Sequence, residues 1–282
     1  MGAEESWHLY RIDSSISQEC PKCGYLLSET LQKRQLQTQQ KRGARQHINT
    51  IIKQLPTFHK ASDYFPTLNL DIPKLDSILQ FRVGESVCII GRHCEILRDR
   101  LCIRALLPER HGGFDSPNVI FIDGGNNSNL YQCVNFARQY GLDIINTLER
   151  IIISRPFTIY QLADLIIYEL PKVLERWETK IIFLSDLLHM FFQDPQVDVE
   201  ESKYLIKQIT ESIQQFLNNT LVVTTLYDNT KPLPYGPILF PKFHKKIEIK
   251  NNLIVNIAYG NRREHFQTVQ ILQNDLLTIP NR

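Results

Sequence analysis

Within Val83 to Gly91, a short polar turn leads into an apolar, β-branched run that ends on glycine, as a buried parallel strand does where it enters a phosphate-binding loop. Such a loop continues with four free residues and then Gly-Lys-Ser or Gly-Lys-Thr, because the lysine reaches the phosphates and the hydroxyl holds Mg²⁺. Here the continuation is Arg-His-Cys-Glu-Ile-Leu-Arg-Asp, residues 92–99. The sequence predicts a strand, loop and helix without the groups that bind a triphosphate.

Charged residues near this loop keep a second interpretation open. Arg98 and Asp99 lie close to where the lysine and the hydroxyl would be, and they are candidates to replace them. Asp186 ends another apolar run, where an acid can hold Mg²⁺ through water or cap the helix that follows. The residues therefore allow either an inactive domain or an atypical nucleotide-binding ATPase or sensor.

One cysteine pair, Cys20 and Cys23, has the spacing of half a zinc knuckle. A structural zinc ion needs four ligands, and the expected second pair is absent; His8 and His47 are the nearest candidates. The alternative is a turn closed by proline and glycine, with two reduced thiols. We predict no cofactor, with zinc at this pair as the open alternative.

Composition limits the class of protein. The chain has 282 residues, 43% hydrophobic and 22% charged, which suits one large domain with a small appendage. A formal charge of +2 does not by itself indicate nucleic-acid binding, so any basic surface must be local. No run reaches the ~18 to 20 apolar residues of a membrane span. We expect a cytoplasmic protein with no membrane partner.

Alternating apolar and amphipathic stretches predict the elements that position the loop. We predict strands, the third with its exit turn, at 83–91, 118–123, 151–157, 180–186 and 221–227. We predict helices at 130–140 and, despite Pro171, at 159–177, and a terminal hairpin and strand at 253–259 and 265–272. Two short helices about Gly43 resemble a helix-hairpin-helix. The fold class is α/β, with a mainly parallel sheet flanked by helices and a small N-terminal helical appendage.

The segment 57–65 reads Thr-Phe-His-Lys-Ala-Ser-Asp-Tyr-Phe. It resembles the linker of the archaeal and eukaryotic recombinases of the RecA/RadA family, whose Phe-x-x-Ala motif inserts into a neighbouring subunit. Phe58 and Ala61 match the two anchors. Residues 68–79 are similar to the segment that precedes the phosphate-loop strand in this family. The alternative is that Phe58 is a core aromatic of its own domain. The resemblance implies an appendage at 1–55, a linker at 56–67 and a RecA-like core at 68–282.

The same resemblance identifies further altered positions. The family's catalytic glutamate aligns with Gly125, its metal-binding aspartate with Ser185 rather than Asp186, and its phosphate-sensing glutamine with Leu226. These changes imply a pseudo-ATPase. The implied function is that of a non-hydrolysing recombinase paralog, nucleoid-associated or nuclear, that assists homologous recombination and DNA repair. Its implied partner is a recombinase of the RadA type or a second copy of itself.

Basic and aromatic residues alternate in the stretch that would form the second DNA-binding loop. Such interleaving suits single-stranded nucleic acid, which stacks its bases on aromatic rings. The residues are Lys231, Tyr235, Lys242, Phe243, His244, Lys245 and Lys246. The alternative is the edge strand of a sheet protected by lysines. A regulatory scaffold without DNA binding is a third interpretation.

Overall fold

The computed structural model describes residues 66–280, apart from residues 127, 194–196, 228–234, 251–252 and 261–265. The chain divides into two compact units, Met1–Lys60 and Ala61–Arg282. Everything described below belongs to the second unit. Five residues of the predicted sites lie outside the described part of the chain: Cys20, Cys23, Phe58, Ala61 and Lys231.

The described strands form a two-stranded ribbon and one eight-stranded sheet. The ribbon pairs β1 (Thr67–Leu68) with β2 (Phe81–Arg82). The sheet contains β3 (Ser86–Gly91), β4 (Asn118–Asp123), β5 (Ile151–Ser154), β6 (Thr179–Ser185), β7 (Leu221–Leu226), β8 (Lys245–Ile249), β9 (Ile254–Tyr259) and β10 (Phe266–Gln270). Their order across the sheet is β10-β9-β8-β3-β7-β6-β4-β5. The strands from β8 to β5 are parallel, and β9 and β10 continue the sheet antiparallel.

The described residues form ten α-helices, most of which connect parallel strands. They are α1 (Pro73–Asp76), α2 (Cys94–Leu106), α3 (Tyr131–Gln139), α4 (Ile144–Glu149), α5 (Ile159–Asp164), α6 (Leu170–Arg176), α7 (His189–Gln193), α8 (Val199–Phe216), α9 (Gly236–Leu239) and α10 (Gln273–Leu277). Two 3₁₀ turns lie at Glu109–His111 and Phe240–Lys242. None of the helices in the described ranges is long and apolar enough to cross a membrane.

The central strand β3 serves two hydrophobic cores. Val87 and Ile89 belong to the core under α2 and α3, while Cys88 and Ile90 belong to the core under α5 and α8. Because successive side chains of a strand point to opposite faces, a strand covered on both sides reads as a continuous apolar run. This confirms the predicted α/β class with a mostly parallel sheet flanked by helices.

The helix predicted across Pro171 is present with an irregularity. Between α5 and α6 the backbone makes a π-helical turn at Leu165–Glu169, and the Leu170 amide bonds the Leu165 carbonyl five residues earlier. Proline has no amide hydrogen, so it fits only where the regular hydrogen bonding is already interrupted or has not begun. Pro171 lies in the first turn of α6, which accounts for its tolerance.

The alternative interpretation of the basic stretch, an edge strand protected by lysines, is wrong for β8. β8 pairs with β3 on one side and with β9 on the other, so it lies in the interior of the sheet. Its side chains alternate between buried and half-buried. That alternation arises from a partly covered face, because side-chain burial says nothing about whether both backbone edges of a strand are paired.

A candidate site at the carboxyl ends of the parallel strands

The turn from β3 into α2 is shorter than a phosphate-binding loop. Only Arg92 and His93 separate Gly91 from the first residue of α2, Cys94, whereas a phosphate-binding loop has four residues before its second glycine. Gly91 has φ of +106°, and a Cβ added there would lie 2.3 Å from the carbonyl oxygen of Ile249 in β8. The backbone conformation and the close approach of β8 therefore account for this glycine without any phosphate.

Arg98 and Asp99 lie in the second turn of α2 and are almost completely buried. Arg98 Nη2 is 2.7 Å from Asp99 Oδ1, and Arg98 Nε donates to the same oxygen over 2.8 Å. Burial raises the pKa of Asp99 to about 6, although Arg98 acts in the opposite direction. Burial also acts against the charge of Arg98, but Asp99 outweighs it and raises the pKa of the guanidinium. The two groups form a buried ion pair at neutral pH.

The guanidinium of Arg98 also joins two other parts of the fold. Its Nη1 donates to Ser185 Oγ over 2.5 Å and to Ser128 Oγ over 3.2 Å. Its carbon lies 4.9 Å from the centre of the Phe121 ring in β4. Ser185 ends β6 and Ser128 follows β4, so this one side chain connects α2 to the carboxyl ends of two strands.

Two more acids lie at these strand ends. Asp123 is fully buried; its Oδ2 accepts from the Ser128 amide over 2.9 Å and lies 3.3 Å from Arg155 Nε.

Asp186 has φ of +48°, and its Oδ2 lies 3.2 Å from His189 Nδ1. Burial raises the pKa of Asp186. Its Oδ1 accepts from the Tyr227 amide over 3.3 Å, so this carboxylate ties β6 to the exit of β7.

Four of these residues, Arg98, Asp99, Ser185 and Asp186, border an open cavity of about 430 Å³. In open α/β sheets, ligands bind beyond the carboxyl ends of the strands, which is where this cavity lies. Its walls include Glu95, Asp99 and Asp186, whereas the basic side chain among the lining residues is Arg98. The charge is therefore the reverse of what an anionic triphosphate requires.

The structure brings only part of the predicted nucleotide site together. Arg98, Asp99, Ser185 and Asp186 all line the cavity. Gly125 lies in the turn after β4 and Leu226 is buried at the end of β7, and neither side chain can donate or accept a hydrogen bond.

Sequence reasoning missed three residues that support the site without lining its cavity: Asp123, Ser128 and Arg155. The signal for Asp123 was available, because it ends an apolar run just as Asp186 does. Nothing local marks Ser128 or Arg155.

The predicted DNA-binding residues divide into two groups. Tyr235, Phe243 and Lys245 are buried, so the structure does not offer these three side chains to a nucleic acid. Tyr235 packs against Phe191 and Phe192, with ring centroids 6.1 and 5.6 Å away. Lys245 Nζ lies 2.5 Å from Glu85 Oε2, and burial lowers its pKa.

Three of the predicted residues remain accessible in this part of the chain. Lys242 and His244 are exposed, and half-buried Lys246 lies 5.3 Å from the centre of the Phe240 ring. The His244 ring is partly engaged, because its Nδ1 accepts from the Ser86 amide over 3.0 Å. The accessible surface is smaller and less aromatic than the sequence predicts.

Comparison with family models finds no match for this chain, and comparison with curated proteins also finds none.

Proposed function

We propose that this protein is a non-hydrolysing paralog of the RecA/RadA recombinases, which assists homologous recombination and DNA repair by binding a recombinase and single-stranded DNA. The observation that carries the proposal is the position and bonding of the Arg98 side chain. Its guanidinium lies at the strand ends where a nucleotide-binding domain would hold phosphate and metal, and it is fully engaged by Asp99, Ser128 and Ser185.

The arrangement of the strands supports this origin. β3, which would carry the phosphate loop, lies at the centre of the sheet, and β6, which would carry the metal-binding acid, lies two strands away. The predicted terminal hairpin is present as β9 and β10. This arrangement supports a frame derived from a nucleotide-binding domain that has lost the chemistry at its loop.

The energetic cost of the missing groups is large. A hydrogen bond to a charged group contributes ~1.5 to 3 kcal/mol, so losing the lysine and two loop donors weakens triphosphate binding by about 10³-fold or more. Glu95, in the first turn of α2, adds repulsion at the place where a helix N-terminus would otherwise favour an anion.

We expect no ATP binding in a calorimetric titration up to ~1 mM ATP with Mg²⁺, and no ATP turnover with or without DNA. The same titration with an active recombinase serves as the positive control. Turnover that disappears in Arg98→Ala would overturn the proposal in favour of an atypical ATPase or sensor that uses Arg98 in place of lysine.

Accessible basic side chains carry the DNA part of the proposal. Lys242→Glu combined with Lys246→Glu should weaken single-strand binding and reduce the slope of log K against log salt by about 1.4, since each phosphate contact contributes ~0.7. Lys245 is left intact because it is buried against Glu85. The matched control reverses two exposed lysines elsewhere, Lys172 and Lys203. Equal effects of both pairs would favour a scaffold without a DNA site.

The partner part of the proposal rests on the resemblance at Phe58 and Ala61. Phe58→Glu should abolish co-purification with a RadA-type recombinase, because burial of a phenyl ring contributes ~1.5 to 3 kcal/mol and aromatic anchors dominate many interfaces. His59→Glu places the same charge beside the motif and should retain binding. A large fall in the melting temperature of Phe58→Glu would instead identify this ring as a core residue.

The sheet itself offers a place for a partner strand. Among the described strands, β5 pairs only with β4, so no described strand occupies the other edge of its backbone. Ile152 and Ile153 of β5 are only half-buried. Edges of this kind accept an extended segment of another chain, which supports binding to a recombinase or to a second copy.

A further inference from the structure

The hydrogen-bond acceptors of the Arg98 guanidinium are oxygen atoms from three separate parts of the fold, and the Phe121 ring lies against it. Asp99 Oδ1 comes from α2, Ser185 Oγ from the end of β6, and Ser128 Oγ from the loop after β4. Carboxylate and hydroxyl oxygens are the ligands that hard divalent cations take. A second acid lies beside them, because Ser128 also binds the buried carboxylate of Asp123 through its amide.

Asp123, which is joined to the cluster through Ser128, gives an independent indication that this region favours positive charge. This side chain is fully buried, and its Oδ1 has no hydrogen-bond partner among the described residues. Its other oxygen lies 3.3 Å from Arg155 Nε, whose side chain is 45% exposed. A buried carboxylate oxygen without a partner is costly unless positive charge lies nearby.

We propose that Arg98 is a built-in cation, which occupies a cation site formed by Asp99, Ser128 and Ser185 and thereby fastens α2 to the ends of β4 and β6 in the absence of any ligand. The proposal rests on the proposed function only in treating this cavity as a former nucleotide site. In a nucleotide-binding domain, the bound metal and phosphates would make these links reversibly. Here the positive charge belongs to the side chain of Arg98, so it cannot dissociate from the site.

The central test is Arg98→Ala, examined by thermal unfolding with and without divalent cations. Removing one partner of a buried ion pair leaves Asp99 uncompensated, and the melting temperature should fall by about 10 °C or more. The vacated space then lies among oxygen ligands. We expect ~10 mM MgCl₂ or CaCl₂ to recover about 5 °C of that loss in a saturable manner, and EDTA to reverse the recovery.

Three controls keep the result specific. The wild-type protein should shift by less than about 1 °C under the same salts, because its site is already filled. Arg98→Lys retains a positive charge without the planar fork, so it should melt between the other two proteins and show no cation response. Arg98→Ala combined with Asp99→Asn removes the main ligand and should lose the recovery.

Two results would overturn the proposal. If Arg98→Ala melts with the wild type, Arg98 does not fasten the elements together. If Arg98→Ala is destabilised but neither Mg²⁺ nor Ca²⁺ raises its melting temperature, the oxygens do not form a cation site. Should Arg98→Ala fail to fold, Arg98→Lys decides the first point, since wild-type stability in that variant contradicts a role for the fork.

These measurements need neither ATP, DNA nor a recombinase. ATP binding to the wild-type protein would defeat the proposed function and leave the cation result unaffected. Conversely, an Arg98→Ala variant that melts normally would defeat this inference while leaving the partner and DNA experiments to decide the proposed function.

Discussion

Gly91→Ala is expected to lower the free energy of unfolding by about 4 kcal/mol or more, which is unusual for the addition of one methyl group. Its φ of +106° is unfavourable for any residue with a Cβ, and the added atom would lie 2.3 Å from the Ile249 carbonyl oxygen. Because that oxygen belongs to the backbone, β8 must move away from β3 to relieve the overlap. Urea unfolding of the purified variant measures the loss.

Gly141→Ala is the matched control. Gly141 also has positive φ, +69°, but nothing lies within 4 Å of a Cβ added there, so only the backbone cost of ~1 to 2 kcal/mol should be measured. The difference between the two variants contains the overlap with β8 together with the less favourable φ of Gly91. Equal losses would show that the close approach of β8 has no energetic weight, and the explanation of Gly91 by packing would fail.

Arg100→Met is expected to cost about 3 to 5 kcal/mol, although methionine fills a similar volume. Arg100 is fully buried, and its guanidinium donates to five backbone carbonyls. The acceptors and distances are Leu70 (2.5 Å), Asp71 (2.8 Å), Asp275 (2.9 Å), Leu276 (3.1 Å) and Thr278 (3.0 Å). Methionine leaves all five without this donor.

The control for this substitution is Arg138→Met, at an exposed position near the end of α3. It makes the same chemical change in solvent and should alter the free energy of unfolding by no more than about 0.5 kcal/mol. Urea unfolding followed by circular dichroism compares the two. Similar small losses in both would mean that water replaces the guanidinium at the five carbonyls.

The parallel strands β3, β4, β6 and β7 could be predicted because each is covered on both faces and therefore continuous in its apolar character. The pairing of β8 could not, since Ile247 and Ile249 alternate with polar residues in the same way on an edge and in the interior. The first residue of α2 could not be predicted either, because periodicity locates the face of a helix more reliably than its ends. The true start at Cys94 is set by the left-handed backbone of His93.

The candidate site was only half predictable. The absence of lysine, hydroxyl and glutamate is a property of the sequence itself. The burial of Arg98 could not be predicted, because arginine on a helix is ordinarily solvated and its acceptor Ser185 is 87 residues away in the chain. The prediction for Tyr235 and Phe243 was wrong for a related reason, because an aromatic residue near lysines has the same local pattern whether it faces solvent or a core.

The contacts of Arg100 also constrain the order in which this domain is built. Its acceptors lie 30 residues before it, at Leu70, and 176 residues after it, at Leu276. During synthesis the N-terminal end of the chain leaves the ribosome first. The side chain of Arg100 therefore lacks its later acceptors until the segment around Leu276 has been synthesised. Since such distant contacts form late and slowly, we expect the central helix to be among the last parts to become rigid.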